Sequence, residues 1–155
     1  MVTVDEMITD INFLLSELNQ ESNFSKDITI DTLSDYISCE LISIELRQKI
    51  VVEAIRLFNP NNKYDLQESI FHFLGIAAYH VMKDKIIEFM IGYVSNSPDA
   101  SVIEYALDLI IDSNSIDKKQ VIKACLNSPD LLVRKATLGT LKNYRNSGVY
   151  SQLIL

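Results

Sequence analysis

The tetrapeptide Asn-Ser-Pro-Asp occurs twice, at residues 96–99 and 127–130, in a chain of 155 residues with only three prolines. Proline keeps the residue before it out of the helical region but is tolerated in the first turn of a helix. Serine and aspartate are preferred N-cap residues. Each copy therefore predicts a helix start, and its recurrence predicts that a unit of structure recurs.

The residues that follow the two tetrapeptides support this interpretation. NSPDASVIEYALDLI aligns with NSPDLLVRKATLGTL so that apolar positions coincide, and NPNNKYDLQESIFHFL, from residue 59, fits more loosely. Each unit contains a helix-breaking segment, a helix, a short turn and a second helix. A period of about 31 to 36 residues with two helices is typical of stacked α-solenoids. We therefore predict an all-α fold, a short right-handed solenoid of seven to eight helices.

Apolar residues recur every three or four positions along nearly the whole chain, which is the spacing of amphipathic helices. Thr3 and Glu6 match a capping box at the start of a helix over 3–20. Residues 22–30 read as a loop, and Asp31 as the N-cap of a second helix with Leu33, Tyr36, Ile37 and Leu41 inward. Further helices are predicted over residues 43–58, 64–81, 83–95, 100–112, 116–126 and 130–144.

These helices predict a single domain over residues 1–155. Within it we distinguish acidic N-terminal helices over 1–60, helix pairs over 61–145 and a C-terminal cap over 146–155. The last segment contains Val149, Tyr150, Leu153, Ile154 and Leu155, and it is apolar enough to cover the end of a helical stack.

Residues 130–141 resemble the first helix of a HEAT-type repeat. That family favours an aspartate followed by Val-Arg and then small residues and leucines, here Asp130, Val133, Arg134, Ala136 and Leu138. The match is partial at 99–110 and weak at 64–74. The resemblance implies HEAT-like helix pairs, and the family consists mostly of scaffolds and binders of macromolecules. One branch excises alkylated DNA bases through a basic, tryptophan-bearing groove, whereas this chain is acidic and has no tryptophan.

The sequence offers little that could perform catalysis. Its two histidines, His72 and His80, have no metal-ligand spacing, and Cys39 and Cys125 lie far apart. The chain has no glycine-rich phosphate loop and no nucleophile elbow. We therefore expect no enzymatic activity, no metal and no cofactor. No run of about 18 apolar residues and no signal-peptide pattern occur, so we expect a cytoplasmic protein with no membrane contact.

The net charge of −7 is concentrated in the first quarter of the chain. Residues 1–40 contain nine acidic residues and Lys26 alone, a net charge of −8, whereas the remaining residues carry +1. Such a field repels nucleic acid and anionic lipid and attracts basic partners.

On a helical wheel the first helix separates its apolar residues from an acidic stripe that contains one aromatic residue. We interpret this stripe, with two nearby aspartates, as a partner-binding surface. An exposed aromatic residue surrounded by carboxylates suits a lysine- or arginine-rich partner, although a solvated face with one stray aromatic residue explains the pattern too. The candidate residues are Glu6, Asp10, Phe13, Glu17, Glu21, Asp27 and Asp35.

These features lead us to expect a non-catalytic binding protein that is a monomer before it meets a basic protein. In size, charge and helix content the chain is similar to some bacterial toxin-immunity proteins. That likeness implies an inhibitor that neutralises a cationic toxin, such as a nuclease. The alternative is a HEAT-like scaffold or adaptor within a larger assembly, which would use a solenoid surface other than the acidic one.

Overall fold

The computed structural model describes residues 1–21, 25–96 and 98–145. This part of the chain contains eight α-helices and no strand, which confirms the all-α fold. The right-handed solenoid path stays a prediction, and the cap expected over 146–155 lies outside the described residues. The helices are α1 Val4–Leu18, α2 Lys26–Ile37, α3 Ile44–Leu57, α4 Tyr64–Ala77, α5 Lys83–Ser95, α6 Ile103–Asp112, α7 Lys118–Leu126 and α8 Leu131–Lys142.

The chain divides into two compact units, Met1–Asp84 and Lys85–Leu155. The single domain expected over 1–155, with its subdivision at residue 60, stays a prediction. In the first unit each helix packs against the next and against the next but one, with α2 against α4 the most extensive contact. In the second unit α6, α7 and α8 pack in the same way. Contacts at both spacings are what stacked helix pairs produce.

Helix α1 starts as its sequence predicts. The side chain of Thr3 accepts a hydrogen bond from the backbone N–H of Glu6, and the Glu6 carboxylate accepts one from the backbone N–H of Thr3 at 2.7 Å. Ile11, Leu15 and Leu18 are buried on the opposite side of the helix from its acidic residues. The capping box is therefore confirmed, and it fixes the residue at which α1 begins.

Helix α2 corrects three of our predictions. It begins at Lys26, with Ser25 as its N-cap, so residues 26–30 are helical and not part of a loop. Asp31 lies in the middle of α2 and does not cap it. The helix ends at Ile37, so Leu41 lies in the following turn, where its side chain is 67% exposed.

The first unit buries a core of aliphatic and aromatic side chains around α4. Phe71 is fully buried, and its ring meets that of Phe58 edge to face with the centroids 5.4 Å apart. Arg47 of α3 is also buried, and its Nε donates to the backbone carbonyl of Ile42 at 3.1 Å. This bond holds the α2–α3 connection against α3, and it gives the buried guanidinium of Arg47 a hydrogen-bond acceptor.

The second NSPD copy starts a helix as predicted. Asp130 is the N-cap of α8, and its carboxylate accepts a hydrogen bond from the backbone N–H of Leu132 at 2.8 Å. In the first copy the Asp99 carboxylate instead accepts from the backbone N–H of Ser101 at 2.9 Å, and α6 begins only at Ile103. The two copies therefore share their sequence but not their capping geometry.

We expect Asp130→Ala to lower the free energy of unfolding by about 1 kcal/mol, because it removes an N-cap acceptor. Asp117→Ala is the matched control. Asp117 is the N-cap residue of α7, but its side chain makes no capping hydrogen bond. Urea unfolding of both variants measures the difference. Equal losses in the two variants would show that the Asp130 bond does not stabilise α8.

Candidate partner-binding surface

One side of α1 carries the residues that we call the α1 acidic face, namely Glu6, Asp10, Phe13 and Glu17. Their spacing places them within about 60° of one another around the helix. The ring of Phe13 is 51% exposed, and Glu6 is exposed, while Asp10 and Glu17 are half-buried. The structure therefore keeps Phe13 out of the hydrophobic core, as the sequence predicts.

Glu6 has a structural role in addition to any role in binding. Its carboxylate accepts hydrogen bonds from the backbone N–H and the hydroxyl of Thr3, at 2.7 and 3.1 Å. Both bonds lower the pKa of Glu6 below its ordinary value, and the bond from the backbone N–H has the larger effect. The group is therefore a carboxylate at neutral pH, and substituting it would disturb the start of α1 as well as the surface.

Asp10 connects α1 to α2. Its carboxylate accepts a hydrogen bond from the hydroxyl of Tyr36, a residue 26 positions away. The pKa of Tyr36 is raised to about 12, chiefly by this hydrogen bond. Partial burial and the negative charges of Asp10 and Asp35 contribute smaller increases. Asp10 thus acts directly on the hydroxyl group of Tyr36, and Asp35 acts on it more weakly through its charge.

The α2 acidic face consists of Asp27, Asp31 and Asp35, which follow one another at intervals of four residues. Since α2 begins at Lys26, all three aspartates lie on one side of it. Asp27 lies in the first turn, where a negative charge is favourable, and it accepts a hydrogen bond from the hydroxyl of Ser25. From the sequence, Asp31 extends the negative region with Asp27 and Asp35, but it is not among the candidate residues because its position also suits an N-cap, a role that the structure rules out.

A cleft of about 470 Å³ lies between α2 and α4. The α2 side carries two carboxylates and two hydroxyls, and the α4 side carries an imidazole and an aliphatic side chain. The lining residues are Asp31, Ser34, Asp35, Ser38, His72 and Ile76. The hydrogen-bond acceptors and the negative charge of this cleft suit a cationic group, and Ile76 offers a surface for an aliphatic stem.

The structure does not bring all the candidates into one place. Glu21 is exposed beyond the end of α1, so it is not part of the helical stripe to which its sequence position assigned it. Glu6 and Asp27 lie in the first turns of their helices, whereas Asp10 and Asp35 lie beside Tyr36. Asp10, Phe13, Glu17 and Asp35 are therefore the candidates on which a partner-binding surface would be centred.

The second unit contains an acidic face that sequence reasoning missed, formed by Glu104, Asp108 and Asp112 of α6. The same interval of four residues would have revealed it. Partial burial of the carboxyl group raises the pKa of Asp108 above its ordinary value, and the charges of Asp112 and Glu104 raise it further. The hydroxyl of Tyr144 donates to this carboxylate at 3.4 Å, a long hydrogen bond that lowers the pKa in part.

We expect Asp108→Asn to raise the melting temperature at pH 7 by about 1–2 °C, since it removes like-charge repulsion on α6. A carboxyl whose pKa is raised by folding ionises more easily in the unfolded chain, so its ionisation lowers stability as the pH rises past its ordinary value near 4. The gain should therefore disappear at about pH 3. Thermal unfolding at pH 3, 5 and 7 measures this, with Asp117→Asn as the control. A gain of equal size at all three pH values would contradict it.

Two findings on the described residues bear on other kinds of site. In that part of the chain no three histidine, cysteine, aspartate or glutamate side chains are grouped so that they could hold a metal ion. None of the helices described is both long enough and apolar enough to cross a membrane. Both cysteines are free, and burial raises the pKa of the Cys125 thiol to about 11.

Compared with models of protein families, with curated proteins and with solved structures, the chain has no match.

Proposed function

We propose that this chain is a non-catalytic protein that binds a basic protein, and that it acts as an immunity or inhibitor protein against a cationic toxin such as a nuclease. The observation that carries the proposal is the hydrogen bond from Tyr36 of α2 to Asp10 of α1, which joins the two acid-rich helices, with the half-exposed ring of Phe13 one turn further along α1. A surface of this composition suits a partner that normally binds phosphates, because carboxylates present the same sign of charge.

The distribution of charge supports the proposal. Residues 1–40 have a net charge of −8, and the structure places most of their carboxylates on α1 and α2, within the first unit. Concentrated charge of one sign accelerates encounter with a partner of the other sign. An aromatic residue in such a surface supplies the apolar contact that slows dissociation.

The cleft between α2 and α4 gives the proposal a specific point of contact. A lysine or arginine of the partner would place its cationic group near Asp31 and Asp35 and its stem against Ile76. The hydroxyls of Ser34 and Ser38 would accept further N–H groups. HEAT-like helix pairs, a bacterial origin and action in the cytoplasm belong to the same proposal. The contacts of neighbouring and next-but-one helices, among α1 to α4 and among α6 to α8, support the first of these.

If a basic nuclease toxin domain is encoded beside the gene for this chain, its rate of association with the chain tests the proposal. We expect Glu17→Lys combined with Asp35→Lys to slow association about tenfold or more at low salt. The matched control is Glu104→Lys with Asp112→Lys, which changes the net charge equally but on an exposed face of α6. It should slow association by less than about threefold. Stopped-flow fluorescence at two salt concentrations provides both rates.

Equal effects of the two double variants would show that only net charge matters, and would contradict a specific acidic surface.

Phe13→Ala should accelerate dissociation about tenfold if the ring contacts the partner. Protection of nuclease substrate by the wild-type chain, and its loss in the Glu17/Asp35 variant, would separate inhibition from simple binding. A complex whose nuclease stays active would favour the scaffold or adaptor alternative.

A further inference from the structure

The solvent face of α3 carries two large apolar side chains, one turn to either side of a glutamine, and a third lies just before the helix. Ile44 and Val52 are 57% and 45% exposed, Gln48 lies between them and is exposed, and Leu41, just before the helix, is 67% exposed. Intervals of four residues place Ile44, Gln48 and Val52 along one side of the helix, over about 12 Å. We call these four residues the α3 apolar stripe.

None of the residues that α3 buries in the core of the first unit belongs to this stripe. The residues that α3 buries are Arg47, Ile50, Val51 and Ala54, on another side of the helix. Single exposed hydrophobic residues are common on protein surfaces, but aligned ones are a feature of interaction surfaces. The α3 apolar stripe is therefore better explained by a contact with another molecule than by packing within the chain.

The charges beside the stripe indicate what that molecule is. Glu45 and Lys49 are both exposed, and they lie next to the stripe on the same flank of α3. Their charges cancel, so this face does not attract a basic protein as the acidic faces of α1 and α2 do. A face with one positive and one negative group is complementary to itself when two copies meet in opposite directions.

We propose that the α3 apolar stripe binds the same stripe of a second copy of this chain, around a two-fold axis that passes next to Gln48. In an antiparallel pair centred there, Ile44 of each copy meets Val52 of the other, and Glu45 of each copy lies close to Lys49 of the other. The two Gln48 amides face one another, and each can both donate and accept a hydrogen bond.

This inference is independent of the proposed function, which rests on α1 and α2, and it departs from the monomer expected from the sequence. The stripe is short, so the dimer is a weak one that forms over roughly 10 µM to 1 mM protein.

Sedimentation velocity of the full chain over that concentration range tests the inference. We expect the wild-type sedimentation coefficient to rise with concentration toward that of a dimer, and Ile44→Asp and Val52→Asp each to remain monomeric. Leu138→Asp is the matched control, because Leu138 is 52% exposed on α8, and it should dimerise like the wild type. A wild type that stays monomeric at 1 mM, or a dimer that survives both α3 variants, would overturn the inference.

Two further variants test the two-fold geometry. Glu45→Lys and Lys49→Glu should each weaken the dimer about threefold or more at low salt, and the double exchange should restore it. In a Cys39→Ser background, Gln48→Cys should form a disulfide-linked dimer on mild oxidation, whereas Gln120→Cys on α7 should not. If the double exchange restores the dimer but Gln48→Cys does not form a disulfide-linked dimer, the two-fold axis lies away from Gln48 and the proposed arrangement is wrong.

Discussion

Replacing Phe71 by alanine is expected to lower the free energy of unfolding by about 3–5 kcal/mol. Phe71 is fully buried in α4, and its ring packs edge to face against Phe58 at an interplanar angle of 88°. The substitution removes a large apolar surface from the core and leaves a cavity that the surrounding helices fill only in part. Because domains of this kind are stable by about 5–15 kcal/mol, the loss is a large fraction of the total.

Equilibrium urea unfolding measures this loss, with Tyr79→Ala as the control. Tyr79 follows α4 directly and is 71% exposed, so its removal should change the free energy of unfolding by less than about 0.5 kcal/mol. If Phe71→Ala does not fold, Phe71→Leu should still fold, with a loss of about 1–2 kcal/mol. A double-mutant cycle with Phe58→Ala should give a coupling of about 0.5–1.5 kcal/mol. A Phe71→Leu variant as stable as the wild type would show that this part of the core tolerates repacking.

Several helix boundaries were predictable because they depend on local chemistry. The predicted helix over 83–95 coincides with α5, and Thr3, Ser43 and Asp130 each accept the N-terminal hydrogen bond that their residue type indicates. A capping bond joins residues two or three positions apart, so the sequence contains both partners of the bond. Nothing distant in the chain has to be known.

The start of α2 was not predictable for a related reason. Ser25 and Asp31 are both residues that favour N-caps, and only Asp31 directly precedes a periodic apolar run. The structure begins the helix at Lys26 because Thr29 and Ile30 are buried, so the first turn takes part in the core. The packing of α2 against other helices therefore determines that Ser25, and not Asp31, is the N-cap, and the sequence alone does not show this packing.

The acidic surface was predictable in composition but not in geometry. The spacing of Glu6, Asp10, Phe13 and Glu17 is enough to place them on one side of α1. The hydrogen bond between Asp10 and Tyr36 spans 26 residues and depends on how α1 packs against α2. For the same reason the cleft that brings His72 and Ile76 near Asp35 has no sequence signal, since its walls come from two separate helices.

Arg47→Ala is expected to lower the free energy of unfolding by about 2–3 kcal/mol, a large effect for a charged residue. The side chain of Arg47 is buried, and its Nε donates to the carbonyl of Ile42 in the α2–α3 connection. Alanine removes that donor from a carbonyl in a buried part of the chain, and it also removes the aliphatic stem that fills the space between α3 and the connection.

Arg47→Met separates these two contributions, because methionine keeps an apolar stem of similar shape but has no donor. We expect Arg47→Met to recover about half of the loss if packing and the hydrogen bond contribute equally. Arg56→Met is the matched control on the same helix. Its side chain is 60% exposed, pairs with Glu53 and donates a hydrogen bond to Asn19, so its removal should cost no more than about 1 kcal/mol. Equal losses of unfolding free energy for Arg47→Met and Arg56→Met would show that the buried hydrogen bond adds no stability. An apolar side chain at position 47 would then stabilise the α2–α3 connection as well as the guanidinium does.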